Sequence, residues 1–157
     1  MLEQIKAEEA AMLALDARTV DVVTPGEQQP EADHRIQSEN SQTGNEDNKP
    51  YRTIRRGGYF SYEMDTDGLE DLMLSVGYWG NETANPNFPR ALDILVDDEL
   101  VISETAFPAT GQKKIERKEY SLPKSSLQGK DRVKITFRTQ ANAMAARIFD
   151  IRLVKED

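Results

Sequence analysis

From Tyr51 onward, the sequence is a series of short segments in which apolar and polar residues alternate, separated by turn-forming residues. Eight such segments cover 51–56, 59–64, 72–79, 91–96, 100–104, 113–122, 132–139 and 146–154. Alternation with a period of two predicts half-buried strands, and no stretch between them has the spacing of an amphipathic helix. The sequence therefore predicts a mainly β fold, an antiparallel two-sheet β-sandwich or jelly roll.

The segment 132–139 shows this alternation most clearly. Val133, Ile135 and Phe137 are expected to face the core, while the polar residues between them face outward. The acidic run 97–99 separates two strand segments and predicts a tight hairpin. The glycine pair 57–58 interrupts another alternating stretch, so we expect one strand to end there and a second to begin.

The first fifty residues have a different composition from the rest of the chain. They hold four Lys/Arg against eleven Asp/Glu, whereas the remaining residues hold sixteen against seventeen, and all eleven aromatic residues lie after position 50. Because aromatic side chains dominate core burial, the packed core is expected in the second part. We divide the chain into a connecting helix at 1–18, a polar strap or linker at 19–50, and a β-sandwich domain at 51–157.

The predicted helix consists of strong helix formers and contains neither Pro nor Gly. Its apolar residues, Leu2, Ile5, Met12 and Leu15, form only a thin stripe together with the alanines. A helix of this length with so little to bury is marginally stable alone. We therefore expect it to pack against the sandwich or against a neighbouring domain.

Composition argues against several classes of function. The net charge is −8, and nucleic-acid binders instead present clustered Lys/Arg. No apolar run approaches the roughly 20 residues of a membrane-spanning helix. The chain has no cysteine, which removes disulfides, thiolate metal sites and cysteine nucleophiles from consideration. We expect no nucleic acid and no membrane among its partners.

Two strings in the strap are unusual, GEQQPE at 26–31 and SENSQTG at 38–44, and Asp33-His34 lies between them. With the later strings GYFSY at 58–62, LDILVD at 92–97 and RIFDIRL at 147–153, they resemble the C-terminal β-sandwich of β-L-arabinofuranosidase-like proteins, glycoside hydrolase family 127. The resemblance runs from about residue 15 to the end. It implies a jelly-roll or galactose-binding-like sandwich from a bacterial protein, with a periplasmic or secreted location favoured.

The resemblance also implies an upstream catalytic domain in the same chain, an α-helical barrel with a metal-thiolate site and a cysteine nucleophile. A chain without cysteine cannot contain that site, so we expect this chain itself not to be an enzyme and to have no catalytic residue. The strap is then better read as ordered. In its motifs we expect Glu31, His34 and Asn40 to hold it against the sandwich or the barrel.

The candidate ligand site is a sugar-binding surface. Tyr78 and Trp79 are adjacent on a strand and should face opposite sides, so one could stack on a sugar while the other enters the core. The loop 81–90 follows and offers amide donors and acceptors from Asn81, Asn85 and Asn87. The alternative is that Trp79 caps the core and that the loop has no binding role.

The remaining candidate groups favour structural roles. His34 is the only histidine, and we expect it to make a structural hydrogen bond rather than to take part in catalysis. Two acidic sets could supply oxygen ligands to a structural calcium ion, although neither has the spacing of an EF-hand; they are Asp65, Asp67, Glu70 and Asp71, and Asp97, Asp98 and Glu99. Acids are common at turns in any case, so we expect no dedicated metal site and no cofactor.

The sequence therefore favours a non-catalytic accessory β-sandwich domain of a glycoside hydrolase. It would pack against the catalytic barrel or against an oligomer partner. The alternative is a carbohydrate-binding module that binds glycans through Trp79 and the loop 81–90.

Overall fold

The structure of the chain is a computed structural model that describes residues 2–80, 91–105, 112–140, 143 and 147–156. Nine strands and three helices are described in these ranges. The helices are α1 (Leu2–Arg18), α2 (Gln28–Asp33) and α3 (Lys124–Leu127). The strands are β1 (Thr19–Val23), β2 (Gln37–Glu46), β3 (Lys49–Asp65), β4 (Leu72–Trp79), β5 (Leu92–Val96), β6 (Glu99–Glu104), β7 (Ile115–Ser121), β8 (Arg132–Arg138) and β9 (Ile148–Lys155).

All described strand pairs are antiparallel, in the order β6-β5-β8-β3-β9-β4-β7, with β1 added beside β9 and β2 beside β3. The long strand β3 joins the two layers of the sandwich. Its second half, from Tyr59 to Asp65, pairs with β8, whereas Arg52 in its first half pairs with Ile148 of β9. The predicted mainly β, antiparallel fold is confirmed, and the sheet curls to enclose one core.

The core contains side chains from both layers. Val133, Ile135 and Phe137 of β8 point inward as the alternation predicts, and Phe137 stacks on Phe60 of β3 at 5.1 Å between ring centroids. From the other layer, β4 and β9 contribute fully or almost fully buried aliphatic residues, among them Leu72, Leu74, Val76, Ile151 and Leu153. On β8 the alternating residues Arg132, Lys134 and Arg138 lie on the outer face, whereas β4 and β9 are largely buried on both faces.

The glycine pair does not end a strand, so the expectation of two separate strands here is wrong. Gly57 adopts a φ of +69°, and β3 continues through it. A Cβ on Gly58 would lie 2.6 Å from the carbonyl oxygen of Asn40, where the register of β2 shifts. The glycines thus admit a bulge and a close backbone approach within one continuous strand.

Residues 19–50 are ordered into β1, α2 and β2, and both strands hydrogen-bond to strands formed by later residues. Around Ile36 the sequence allows a short edge strand at 34–38. The strand in the structure begins later and is longer, because the polar segment Gln37–Glu46 pairs along the edge of β3. A solvent-facing edge strand tolerates such a polar sequence. The division of the chain at residue 50 stays a prediction.

Two short helices, α2 and α3, were not predicted. The expected helix at 2–18 is present as α1, and the expected hairpin joins β5 to β6. Asp97 and Asp98 adopt positive φ values of 48° and 69°, which Asp tolerates better than most residues. Of the described helices, none is both long enough and apolar enough to cross a membrane.

Candidate functional site

The strap is fastened to the sheet by the carboxylate of Glu31 on α2. Arg52 of β3 donates to both of its oxygens, from Nε at 2.7 Å and from Nη2 at 2.8 Å, and the Tyr62 hydroxyl donates to Oε2. Arg52 also donates from Nη1 to the hydroxyl of Ser41 on β2, at 2.7 Å. This bidentate pair, in which Glu31 is buried and Arg52 is mostly buried, joins α2, β2 and β3 at one point.

The ionisation of this cluster follows from its contacts. Burial alone would raise the pKa of Glu31, but the hydrogen bonds from Arg52 and Tyr62 outweigh it and lower that pKa below its ordinary value. Burial raises the pKa of Tyr62, and its hydrogen bond to Glu31 raises it further. Glu31 is therefore an ionised acceptor and Tyr62 a neutral donor, which suits a structural fastening.

His34 makes a second connection within the strap. Its Nδ1 lies 2.7 Å from the carbonyl oxygen of Pro30, and its Nε2 lies 2.9 Å from Oδ1 of Asp21 on β1. The other oxygen of Asp21 accepts the backbone N–H of Asp65 at 2.8 Å. Because both partners of the ring are acceptors, the imidazolium form satisfies both contacts.

The pKa values of this pair move in the matching directions. The hydrogen bond to Asp21 raises the pKa of His34, against the opposing effect of burial. Burial would raise the pKa of Asp21, but the hydrogen bonds from His34 and from the Asp65 N–H lower it overall. The pair is thus an ion pair that ties β1 to the end of α2. Asn40 contributes differently, through its positive φ of 51° at the bulge of β2.

The aromatic residues proposed to bind sugars are both buried. Tyr78 is fully buried, and its hydroxyl lies 2.8 Å from that of Tyr120. Trp79 is only 3% exposed and packs on Phe149, with 5.5 Å between ring centroids. The expectation that one ring would face outward is corrected, because the second face of β4 is also covered. Asn81, Asn85 and Asn87 lie outside the described residues, so sugar binding there stays a prediction.

The acidic sets at the turns are engaged with lysines and with backbone amides. Asp97 accepts the backbone N–H of Lys134 at 2.8 Å and pairs with Lys130 at 2.7 Å, and Asp98 pairs with Lys134 at 2.7 Å. In the other set, Asp65 accepts the N–H of Asp67, and Asp71 pairs with Lys124. Within the described ranges, no three His, Asp or Glu side chains converge as metal ligands would.

The helix α1 has an apolar surface that the rest of the described chain leaves uncovered. Leu15 is buried, but Ile5 is 50% exposed, Met12 44% and Leu13 70%. A groove of about 690 Å³ lies beside the helix and is lined in part by Met12, Leu15 and Ile115 of β7. The expected packing against the sandwich therefore involves only the C-terminal part of the helix.

A depression on the outer face of β2, β3, β8 and β5 was not anticipated; we call it the outer groove. One row across these strands runs Gln37, Ser61, Thr136 and Leu95 in register. Its floor consists of short or buried side chains, with Ser61 only 2% exposed, Leu95 6% and Thr136 9%. Longer side chains surround this floor, and they are Gln37, Tyr59, Asp98, Lys134 and Arg138.

The charges around the outer groove occur in pairs. Lys134 pairs with Asp98 at 2.7 Å, and Arg138 pairs with Asp93 at 3.3 Å. Beyond Lys134 the groove continues to Arg35 and Glu63, which lie 3.3 Å apart. The sequence showed that Lys134, Thr136 and Arg138 face outward. It did not show that they meet Tyr59 and Ser61, because that requires the register between β3 and β8.

These features define an antiparallel β-sandwich module. A family 35 carbohydrate binding module from Clostridium thermocellum is similar to it, with a TM-score of 0.60 and 13% identity over 87% of this chain and 99% of that one. The family 35 module from Paenibacillus barcinonensis gives a TM-score of 0.60 and 11% identity over 77% and 93%. An exo-β-1,3-galactanase from Phanerochaete chrysosporium gives a TM-score of 0.56 and 13% identity over 74% of this chain and 27% of the galactanase chain.

At these identities the likeness is one of fold, and it supports the predicted jelly-roll or galactose-binding-like class. No curated protein matches the sequence. Residues 14–154 match the model of DUF6805, a family of unknown function, and the chain belongs to that family. The matched range begins within α1 and includes the whole strap.

Proposed function

We propose that this chain is a non-catalytic accessory module of a glycoside hydrolase, attached through α1 to a partner domain. The observation that carries the proposal is the uncovered apolar surface of α1, formed by Ile5, Met12 and Leu13. Contiguous exposed apolar side chains on a positioned helix are typical of an interaction surface. A helix that served only as a linker would have no need of them.

The C-terminal end of α1 is firmly attached, which positions that surface. Arg18 donates to both carboxylate oxygens of Glu119 on β7, at 3.0 and 3.1 Å, and to the carbonyl oxygen of Lys155 at 2.9 Å. Arg152 of β9 pairs with Asp16 at 2.6 Å. Because these contacts reach two strands of the sheet, the helix projects in a defined direction and can present its apolar surface to a partner.

The residues exposed on α1 indicate what kind of surface would be complementary to it. Acidic residues flank the exposed apolar side chains, namely Glu8, Glu9 and Asp16. A complementary surface has an apolar centre and a basic rim. We propose that this surface belongs to a catalytic α-helical barrel in the same natural protein, the domain that the resemblance to glycoside hydrolase family 127 implies.

The fold occurs in comparable settings. The matched part is 17% of the chain of a family 115 4-O-methyl-α-glucuronidase and 27% of the chain of the exo-β-1,3-galactanase. Sandwiches of this fold therefore form parts of longer hydrolase chains. This supports an accessory role, and the identity of the catalytic partner remains a proposal.

Photo-crosslinking tests the docking role directly. A photoreactive amino acid replaces Leu13 in the protein as its gene encodes it, and crosslinked peptides are identified by mass spectrometry. We expect crosslinks to a second folded domain. The same amino acid at Ser125, an exposed residue of α3, is the control and should give no crosslink to that domain. Crosslinks from position 13 only to residues of this chain would contradict the proposal.

A second candidate function is glycan binding. Two observations favour it. The structural match covers 93% to 99% of three family 35 carbohydrate binding modules and 73% of a fourth, and the outer groove offers a polar surface with an aromatic residue. The loop 81–90 remains the other proposed location. A module can combine both roles, since α1 and the outer groove involve different residues.

A further inference from the structure

We infer that the outer groove binds a neutral saccharide, and this inference rests on glycan binding, the second candidate function. Four adjacent strands form the groove, and their spacing gives it a width of about 14 Å. The side chains of Ser61 and Thr136 are short and form a low floor. The side chains around them are longer and form the rim, namely Lys134, Arg138 and Tyr59. The depression is thus a direct result of residue size along paired strands.

The floor contains a hydroxyl group that the fold does not use. Thr136 is nine-tenths buried, and its Oγ1 makes no hydrogen bond with any part of the chain that the structure describes. Oε2 of Glu63 makes no hydrogen bond there either, but it forms the 3.3 Å ion pair with Nε of Arg35. Buried polar groups are almost always hydrogen-bonded, so the hydroxyl of Thr136 is suited to an external hydroxyl.

The rim covers the hydroxyl of Thr136 and consists largely of flexible side chains. Lys134 and Arg138 flank Thr136 on the same face of β8, and both are long enough to turn aside. Their movement would expose the floor without any change in the backbone. The groove can therefore admit a ligand while the sheet stays intact.

The balance of charge selects a neutral ligand. Each cation at the groove already has a carboxylate partner: Arg35 with Glu63, Lys134 with Asp98, and Arg138 with Asp93. None of these three cations is left without a counter-ion to attract an anion. Paired charges still offer hydrogen-bond donors and acceptors side by side, which suits the neighbouring hydroxyls of a sugar. Tyr59 adds an apolar ring at the rim for the C–H face of that sugar.

NMR titration of the ¹⁵N-labelled chain tests this site. The probes are neutral oligosaccharides of arabinose, galactose and xylose, each at up to roughly 10 mM, which detects even weak complexes. An oligogalacturonide serves as the anionic probe. We expect a neutral probe to shift the amides of residues 59–63, 93–95 and 134–138, and to do so at lower concentration than the anionic probe.

Two variants locate the contact. Thr136→Val preserves shape and removes the hydroxyl, so the affinity should fall by about three- to tenfold. Tyr59→Ala should weaken binding as well. Thr43→Val, at an exposed position near the other end of β2, is the matched control and should bind as the wild type does. The amide spectrum of each variant also reports whether the fold is intact.

The outcomes separate the groove from glycan binding in general. Shifts confined to the loop 81–90 would overturn the groove and leave glycan binding standing. The absence of shifts with every probe would overturn both. Tighter binding of the oligogalacturonide than of any neutral probe would overturn the assignment of a neutral ligand, and equal binding by Thr136→Val would overturn the role of its hydroxyl.

Discussion

The fastening of the strap by Glu31 predicts a large loss of stability when its charge is removed. Glu31→Gln preserves the size of the side chain but places an NH₂ group against the donors of Arg52 and leaves that guanidinium without its counter-ion. The side chains of Glu31 and Arg52 are only 8% and 12% exposed. Breaking one side of a buried pair costs about 3–5 kcal/mol.

We expect a value near the lower limit, about 3 kcal/mol, because Arg52 retains its hydrogen bond to Ser41. For a chain of this size the loss corresponds to a decrease of about 6–12 °C in Tm. The assay is urea unfolding followed by circular dichroism and by the fluorescence of Trp79. The midpoint should fall while the m value stays constant, since the compactness of neither state changes.

Glu46→Gln is the matched control. Glu46 makes a single 3.2 Å contact with Arg147, and both side chains are about one-third or more exposed. A solvated pair of this kind contributes about 0–1 kcal/mol. If Glu31→Gln loses no more stability than Glu46→Gln, the strap is not fastened by this ion pair and the reasoning is refuted.

Further predictions concern pH, an unpaired hydroxyl and α1. The pKa of His34 is raised above its unfolded value of about 6.5. Its contribution to stability is therefore complete below about pH 6.5 and is lost as the pH rises through the folded pKa. Unfolding measured from about pH 6 upward should show this loss of stability, and the loss should be absent in His34→Gln. Thr139→Val, which removes a donor to the Arg55 carbonyl oxygen at 2.9 Å, should cost about 1–2 kcal/mol in urea unfolding. Thr136→Val should cost less than about 0.5 kcal/mol because no intramolecular hydrogen bond is lost. Equal losses of stability in Thr139→Val and Thr136→Val would contradict the assignment of Thr136 as the unpaired hydroxyl. Leu13→Glu should leave the unfolding midpoint unchanged, since Leu13 is 70% exposed. It should nevertheless reduce crosslinking to the partner domain from a photoreactive amino acid placed at Ile5, which is 50% exposed on the same helix; a large loss of stability would show that Leu13 packs within the chain.

The strands were predictable where one face is buried. In β8 the alternation of Val133, Ile135 and Phe137 with polar residues reports the core directly, and in β5 and β6 the acidic turn reveals the hairpin. The helix α1 was equally predictable, since its sequence consists mostly of strong helix formers and contains neither Pro nor Gly. Local patterns suffice when the same residues determine both the local structure and the side that is buried.

Other elements depend on contacts distant in sequence. The strand β2 is polar throughout and becomes a strand because β3 offers it an edge. Gly57 and Gly58 have the signal of a strand end, yet the backbone of Asn40 approaches there and makes a bulge instead. The burial of Trp79 depends on Phe149, seventy residues later in the sequence.

The candidate sites divide in the same way. The motifs around Glu31 and His34 indicated that the strap is ordered. Their partners, Arg52, Tyr62 and Asp21, could be identified only from the folded chain. The outer groove has no sequence signature at all, because its floor and rim come from separate strands brought into register. The apolar residues of α1 were visible in the sequence, and only the structure showed which of them remain uncovered.

Hydrogen–deuterium exchange at α1 tests the central claim, that this module docks through its helix, most directly. Exchange is compared between the isolated chain and the protein as its gene encodes it. We predict slower exchange of the amides between Ile5 and Leu13 in the natural protein, because packing against the partner domain suppresses opening of the helix, while the amides of β8 exchange equally in both. Identical exchange of α1 in the two proteins would contradict the account.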